Sequence, residues 1–310
     1  MLTVLITGAS GFVGGHVVRE AERRRADVRL LSHRRPVPRS AARCVRGDLT
    51  DPGTLRGVCD GVDVLIHCAA QIGGTEAANE AVNADGTAAL VAEARRAGVR
   101  RVVQLSTASV YGRGTYRRQR PEELVRNPGS WTSRTRAAAE DAVLSAGGVV
   151  LRPHLVYGSG DAWVGPGMAR VLRVLPGTVA GWSARMSMIA VPDLARALVG
   201  AAFAPDSALS ASVYHAAHPE PVAVCEALRA VAACAGISWP RRDLSVGRAR
   251  GLLAGDEVLS GVVDLLTTDH LFESDSLWSD LRAAPGDPFV TGFRRAGPWY
   301  RSTLSPAGRP

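Results

Sequence analysis

The sequence predicts an α/β fold, a doubly wound parallel sheet covered by helices and followed by a smaller C-terminal lobe. Two observations carry this. Short apolar runs recur through the first half of the chain, at Thr3–Ile6, Val28–Leu31, Asp63–His67, Val102–Leu105 and Val149–Leu151. Runs with apolar residues at consecutive positions, not only at alternate ones, suit strands buried on both faces, as in a parallel sheet sandwiched by helices. Between them lie longer stretches of helical pattern, Gly11–Arg25, Asn83–Ala97 and Ser133–Ser145, which gives the alternation typical of βαβ units. Beyond Gly158 the pattern loosens, Pro, Gly and Trp become punctuation, and helices are expected at Val191–Ala204, Pro221–Ala235 and Arg248–Asp264. Residues 1–160 are therefore read as the first domain, 161–304 mainly as the second lobe with some segments returning to the first, and 305–310 as a disordered tail.

Composition narrows the chemistry. All 37 basic residues among the 310 are Arg, so no amine other than the N-terminus exists for a Schiff base or a P-loop contact. The net charge of +8 invites a polyanionic partner. However, the arginines are dispersed, with no run longer than Arg23-Arg24-Arg25, and aromatics make up only 5%. Nucleic acid is therefore not expected, while attraction to anionic small molecules is. Five cysteines without a CxxC spacing argue against a disulfide framework or zinc knuckle and suit a reducing cytoplasm. His215 and His218 lack a third ligand pattern, so no metal is expected. No apolar stretch reaches 18 residues, and no membrane span is expected.

The first strand runs into Gly8-Ala9-Ser10-Gly11-Phe12-Val13-Gly14, a GxxGxxG loop that opens the first helix. Glycines at this spacing permit a tight turn, close approach of backbone to a pyrophosphate, and close helix–strand packing, with the helix N-terminus offering free N–H groups. The loop therefore marks a Rossmann-like dinucleotide site. At the end of the second strand an acidic residue would grip the ribose of NAD, but this chain has Ser32-His33-Arg34-Arg35. That run suits a 2′-phosphate, so NADP(H) is expected rather than NAD. The opposing reading is a pair of solvated arginines.

Further pieces follow in order: Gly47-Asp48-Leu49, Cys68-Ala69-Ala70, Asn83, Leu105 to Gly112 with Val110-Tyr111-Gly112, and Arg152-Pro153-His154-Leu155-Val156-Tyr157-Gly158. With Val191-Pro192-Asp193-Leu194-Ala195 and Trp299-Tyr300-Arg301 they resemble the extended short-chain dehydrogenase/reductase family, also called the epimerase/dehydratase family, over nearly the whole chain. The resemblance implies a dinucleotide laid across the carboxyl ends of the strands. Asp48 and Leu49 would flank its adenine, Ala69 and Ala70 would lie along it, and Pro153, His154 and Val156 would lie near its nicotinamide. It also implies that Thr107, four residues before Tyr111, hydrogen-bonds the substrate oxygen. The alternative is a strand-end threonine capping its own backbone.

The chain departs from the family at Tyr-x-x-x-Lys, the usual acid/base pair. The trailing pattern of that motif is legible in Arg134 to Glu140, which puts Arg136 at the lysine and Thr132 at the tyrosine; a one-residue shift would put Trp131 there instead. Arg136 can hold ribose hydroxyls but cannot release a proton near neutrality. Thr132 can only relay one. Losing a positioned acid removes about 10²–10⁴ of rate, which hydride transfer from an oriented cofactor can survive. The proton could come from ordered water, Tyr116, His154 or a phenol on the substrate. These features resemble members of the family that reduce a carbonyl of an aromatic polyketide of angucyclinone type in antibiotic biosynthesis. Sugar dehydratases of the family carry Asp-Glu where this chain has Ala108-Ser109, and sugar epimerases need the missing tyrosine. Trp163, Met168, Trp182 and Met186 offer flat, polarizable surface for an aromatic substrate, although core packing explains each equally well. The rival reading is a non-catalytic NADP-binding regulator that senses redox state.

Overall fold

Val4, Leu5 and Ile6 have no exposed surface because the strand they form, β1 (Thr3–Thr7), is covered on both faces. Val4 and Ile6 point into one apolar cluster and Leu5 into another on the opposite side, as the two-residue period of a strand requires. The computed structural model describes residues 1–33 and 42–305; Arg34, Arg35 and residues 306–310 of the expected tail lie outside the described residues.

The central sheet adds β2 (Asp27–Ser32), β3 (Arg43–Arg46), β4 (Val64–His67), β5 (Arg101–Leu105), β6 (Val149–Arg152) and β7 (Val213–His215). The seven strands lie in the order β7-β6-β5-β4-β1-β2-β3, and every pairing is parallel. The order reverses between β1 and β4, so the connections leaving their carboxyl ends diverge and open a crevice, the usual ligand position in such sheets.

The helices of ten residues or more are α1 (Phe12–Arg23), α2 (Gly86–Arg96), α3 (Trp131–Ser145), α4 (Val164–Val174), α5 (Val191–Phe203), α6 (Val224–Ala235), α7 (Glu257–Leu266) and α8 (Phe289–Leu304). Val17, Val18 and Ala21 of α1 pack with Leu194, Ala197, Leu198 and Ala201 of α5 on one face of the sheet. Leu90, Val91 and Ala94 of α2 and Val143 of α3 cover the other. Thus α5 and β7, both distal in sequence, complete the first layer system. A separate cluster joins α4, α6, α7 and α8 around Trp182 and Met186.

Three features differ from the sequence expectation. β3 and β7 were not foreseen: Arg43-Cys44-Val45-Arg46 is a largely exposed edge strand with no apolar run to betray it, and β7 is three residues long. The single helix expected over Arg248–Asp264 is two, Val246–Leu252 and α7. Gly255 turns the chain at φ +94°, and Asp256 then caps α7 by accepting from the Leu259 N–H at 2.9 Å.

The C-terminal helix is tied to the crevice by a buried triad of contacts. The Tyr300 hydroxyl donates to Asp161 Oδ2 at 2.8 Å and accepts from the Gly158 N–H at 3.0 Å. Asp161 in turn accepts from the N–H groups of Trp163, Val164 and Gly165, which begin α4. This explains why Trp299-Tyr300-Arg301 belongs with the upstream motifs although it lies at the far end of the chain.

Candidate active site

The loop after β1 meets the loop after β4 at van der Waals limits. Gly8 adopts φ +69°, and a Cβ there would lie 2.6 Å from Ala69 N and 2.7 Å from the Cys68 carbonyl carbon. At Gly14 a Cβ would lie 2.1 Å from the Gly8 carbonyl oxygen. Both positions accept only glycine for reasons of space, and Gly11 N–H closes the turn onto Gly8 O at 2.9 Å. Gly11 is the N-cap of α1 and carries no side-chain cap, so the first-turn N–H groups have no intrahelical acceptor. Phe12 turns its ring toward Gly160, 3.0 Å from where a Cβ would stand there, and Val13 packs on the α1 side cluster. Ser10 is exposed at the mouth.

Below this cradle runs a cavity of about 510 Å³, lined by Gly8, Ser10 and Gly11, then Ser32 and His33, Asp48 and Leu49, and Ala69 to Gln71. The cavity thus gathers the expected pyrophosphate, ribose and adenine contacts along one wall. His33 Nε2 lies 2.8 Å from Asp48 Oδ2, and Asp48 Oδ1 accepts from the Thr50 N–H and hydroxyl at 2.9 and 2.8 Å. A dinucleotide fits this donor set: a glycine-only cradle, uncapped helix N–H groups and a long cleft.

A fully buried relay stiffens the crevice from beneath. Thr7 Oγ1 accepts from the N–H groups of Cys68 and Ala69 at 3.2 and 3.1 Å, so its own proton goes to His67 Nδ1, 2.7 Å away. His67 Nε2–H then donates to Thr87 Oγ1 at 2.9 Å. Burial, with Arg136 nearby, lowers the His67 pKa to about 4 and keeps the ring neutral.

The end of the crevice expected to take the nicotinamide is organised by α3. Thr132 Oγ1 donates to Asn79 Oδ1 at 2.8 Å and accepts from the Gly73 N–H at 3.2 Å, tying the Gln71–Thr75 loop to the start of the helix. Trp131, the alternative occupant of the tyrosine position, is 45% exposed with the Arg134 guanidinium 4.6 Å from its ring centre. Arg136 is buried under the ends of β4 and β5, and Nη2 donates to the Leu105 carbonyl at 2.5 Å. Thr107 caps the turn Ala108–Tyr111, accepting from the Ser109 N–H and donating to Ser109 Oγ, each at 3.1 Å. It is only partly buried, and the capping function foreseen as its alternative role is present.

Because the Thr132 hydroxyl is committed on both sides, it works first as a tether. Thr132→Val is expected to leave Gly73 N–H and the buried Asn79 amide oxygen short of a partner, costing about 1–2 kcal/mol of stability. A denaturant midpoint unchanged from the parent would show that the tether contributes nothing.

Of the other side chains proposed as proton sources, Tyr116 is committed, whereas the buried Nε2 of His154 has no hydrogen-bond partner among the described residues. Tyr116 lies in a short strand, Tyr116–Gln119, paired with His270–Phe272. Its hydroxyl donates to the Tyr111 and Gly112 carbonyls at 3.0 and 3.2 Å, and burial raises its pKa. His154 stacks on His270 with ring centres 4.9 Å apart; burial, then His270 and His215, hold its pKa well below the usual value. Pro153 uses its carbonyl to accept from the Ala108 N–H at 2.8 Å, which fixes the Val156 segment against the Thr107 turn. Tyr111 donates to His215 Nε2 and accepts from Arg152 Nη1, both at 2.7 Å. None of the sequence patterns had pointed to this Arg152–Tyr111–His215 chain, which also reaches Glu140; an Arg at the end of a buried strand was the available signal.

The expected substrate surface needs correction. Met168, Trp182 and Met186 are 3, 1 and 0% exposed and fill the core of the second lobe, since apolar side chains at strand and helix positions facing α6 and α8 gain more by leaving water. Trp163 alone of the four is at the surface, 66% exposed.

Known proteins agree with this construction. Residues 4–217 match the model of the NAD dependent epimerase/dehydratase family. The 3 beta-hydroxysteroid dehydrogenase/Delta 5-->4-isomerase of Mycobacterium tuberculosis is 31% identical over 287 residues, covering 81% of this chain and 74% of that protein. A 4-hydroxy-2-methyl-3-oxo-4-farnesyl-3,4-dihydroquinoline-1-oxide ketoreductase of Stigmatella aurantiaca is 30% identical over 185 residues, 56% of this chain and 55% of the relative. The Bordetella bronchiseptica enzyme WbmH, solved with NAD+, superposes with a TM-score of 0.76 at 22% identity over 97% of this chain and 99% of its own. With a family match spanning β1 to β7 and a crevice shaped for a dinucleotide, the chain belongs to the NAD dependent epimerase/dehydratase family and is an oxidoreductase of the extended short-chain type.

Proposed function

We propose that this protein is an NADPH-dependent ketoreductase that reduces a carbonyl of a hydroxylated aromatic polyketide, of angucyclinone type, in antibiotic biosynthesis. In this reading it resembles the atypical ketoreductase of simocyclinone biosynthesis. Residues 1–160 hold the cofactor, with Ser32, His33, Arg34 and Arg35 taking the 2′-phosphate and Arg136 the nicotinamide ribose. The lobe of residues 161–304 covers the substrate, and Thr107 orients its ketone. The observation that carries the proposal is the pairing of an intact dinucleotide cradle with a helix α3 that has neither the Tyr nor the Lys of the family. Thr132 and Tyr116 spend their hydroxyl protons on Asn79 and on backbone carbonyls, so the proton that completes the reduction comes from the substrate or water. The NADPH supplies the hydride when bound. A phenol beside the ketone, with a pKa of about 10 like that of the absent tyrosine, is the economical donor. The Stigmatella relative supports the substrate class, since the substrate in its name is a ring ketone on an aromatic scaffold.

The test follows NADPH absorbance with a panel of hydroxyquinones and their phenol-methylated analogues. Turnover is expected with the free phenols and should fall by 10²-fold or more on methylation. Binding of NADPH with turnover of none of them would replace this reading by that of a redox-sensing regulator, which the commitment of the hydroxyls to structural bonds also favours.

A further inference from the structure

Arg136 is a buried cation with no ion-pair partner among the described residues. It is 7% exposed, and its Nε has no hydrogen-bond partner. Nη2 reaches only a neutral backbone carbonyl, that of Leu105. Among the described residues no carboxylate forms an ion pair with it, although Glu140 stands one turn further along α3. That carboxylate is already saturated. Oε1 accepts from Ser106 Oγ at 2.5 Å and Arg152 Nε at 2.9 Å, while Oε2 accepts from Arg152 Nη2 at 2.5 Å and Arg126 Nη1 at 3.4 Å. The other titratable groups facing Arg136 come from the end of β4. Burial pushes the Cys68 thiol up to about 12, so it stays protonated, and His67 is neutral. Two buried guanidinium groups, Arg136 and Arg152, therefore stand near one carboxylate, and Arg152 holds it.

An uncompensated buried charge costs several kcal/mol and is retained only where something offsets it. Ribose hydroxyls could satisfy the orphan Nε–H but bring no negative charge. We infer that Arg136 is the cationic seat of a substrate oxyanion, and that the protein selects substrates whose hydroxyl ionises beside the ketone. This rests on the ketoreductase reading and specifies its substrate as an acidic phenol or enol. In the step, hydride from NADPH forms the C–H bond at the carbonyl carbon as the C=O π bond breaks toward oxygen. The substrate's own hydroxyl gives its proton to that oxygen. NADP+, the alcohol and a phenolate result, and the phenolate charge lies in the field of Arg136 until solvent reprotonates it.

The probe is a hydroxyanthraquinone, whose ionisation is visible as a red-shifted absorption band. Bound to the protein with NADP+, its phenol is expected to ionise at least one pH unit lower than in free solution. Arg136→Met should abolish that shift, and Arg136→Lys, which keeps the charge, should restore most of it. Arg136→Met should also match or exceed the parent in thermal stability without ligand, because it removes an unpaired buried charge. A bound probe whose ionisation is unshifted, or shifted equally in Arg136→Met, overturns the inference. So does a large loss of stability in Arg136→Met. Because these readings need binding and not turnover, they fail or succeed separately from the ketoreductase reading, which the NADPH assay decides.

Discussion

Replacing Glu140 by alanine is expected to cost about 3–5 kcal/mol of stability, the typical penalty for removing one partner of a buried ion pair. Glu140 has no exposed surface, and its two oxygens collect hydrogen bonds from Ser106, Arg152 and Arg126. Removing it strands the Arg152 guanidinium at the end of β6 and breaks the link between α3 and the two strand ends it faces. The consequence reaches Tyr111 and His215, because Arg152 Nη1 is the group that fixes the Tyr111 hydroxyl. Glu140→Gln, which keeps the shape and loses the charge, should cost less. The double change Glu140→Met with Arg152→Met should recover much of the loss, since a well-packed apolar pair replaces buried ions at small net cost. Chemical denaturation of the parent, Glu140→Met, Arg152→Met and the double variant would measure the coupling. A loss below about 1 kcal/mol in Glu140→Ala would mean that Arg152 finds water or another acceptor.

Gly14→Ala is expected to disable cofactor binding. The new methyl would stand 2.1 Å from the Gly8 carbonyl oxygen, a contact with backbone that no rotamer relieves. Overpacking of this kind costs about 1–3 kcal/mol, and its relief moves the Gly8–Gly11 turn that would hold the pyrophosphate. Affinity for NADPH should fall by about 10–100-fold, each factor of ten being about 1.4 kcal/mol. The neighbouring Gly15→Ala is the control. Its Cβ would meet Ala9 O at 3.4 Å, an ordinary contact, and alanine in a helix is favoured over glycine by about 1 kcal/mol. Gly15→Ala should therefore stabilise the fold and leave NADPH affinity unchanged. Equal affinities for the Gly14 and Gly15 variants, by titration calorimetry, would remove the close-approach account of Gly14.

The sequence determined the sheet and the cradle because both depend on local, periodic constraints. Strands β1, β2, β4, β5 and β6 needed apolar residues on both faces, and that need is written as short, mostly apolar runs. Gly8, Gly11 and Gly14 were legible for the same reason: their spacing records a backbone geometry that no side chain tolerates. Departure from the family at Thr132 and Arg136 was also readable, since an absent residue needs no coordinates. What only the tertiary structure decided is how polar groups are shared between elements distant in the chain. Thr132 proved to be tied to Asn79 and Gly73, and Tyr116 to the carbonyls of Tyr111 and Gly112. Met168, Trp182 and Met186 went to a core built largely by residues that follow them. The ionic balance at the crevice was hidden most deeply. Arg136 and Glu140 stand at a spacing that suggests a helical ion pair, yet Arg152, from the next strand, takes the carboxylate by approaching it with two donors at once. One acid cannot neutralise two buried cations, and which of them it serves is settled by where the strand ends lie in space.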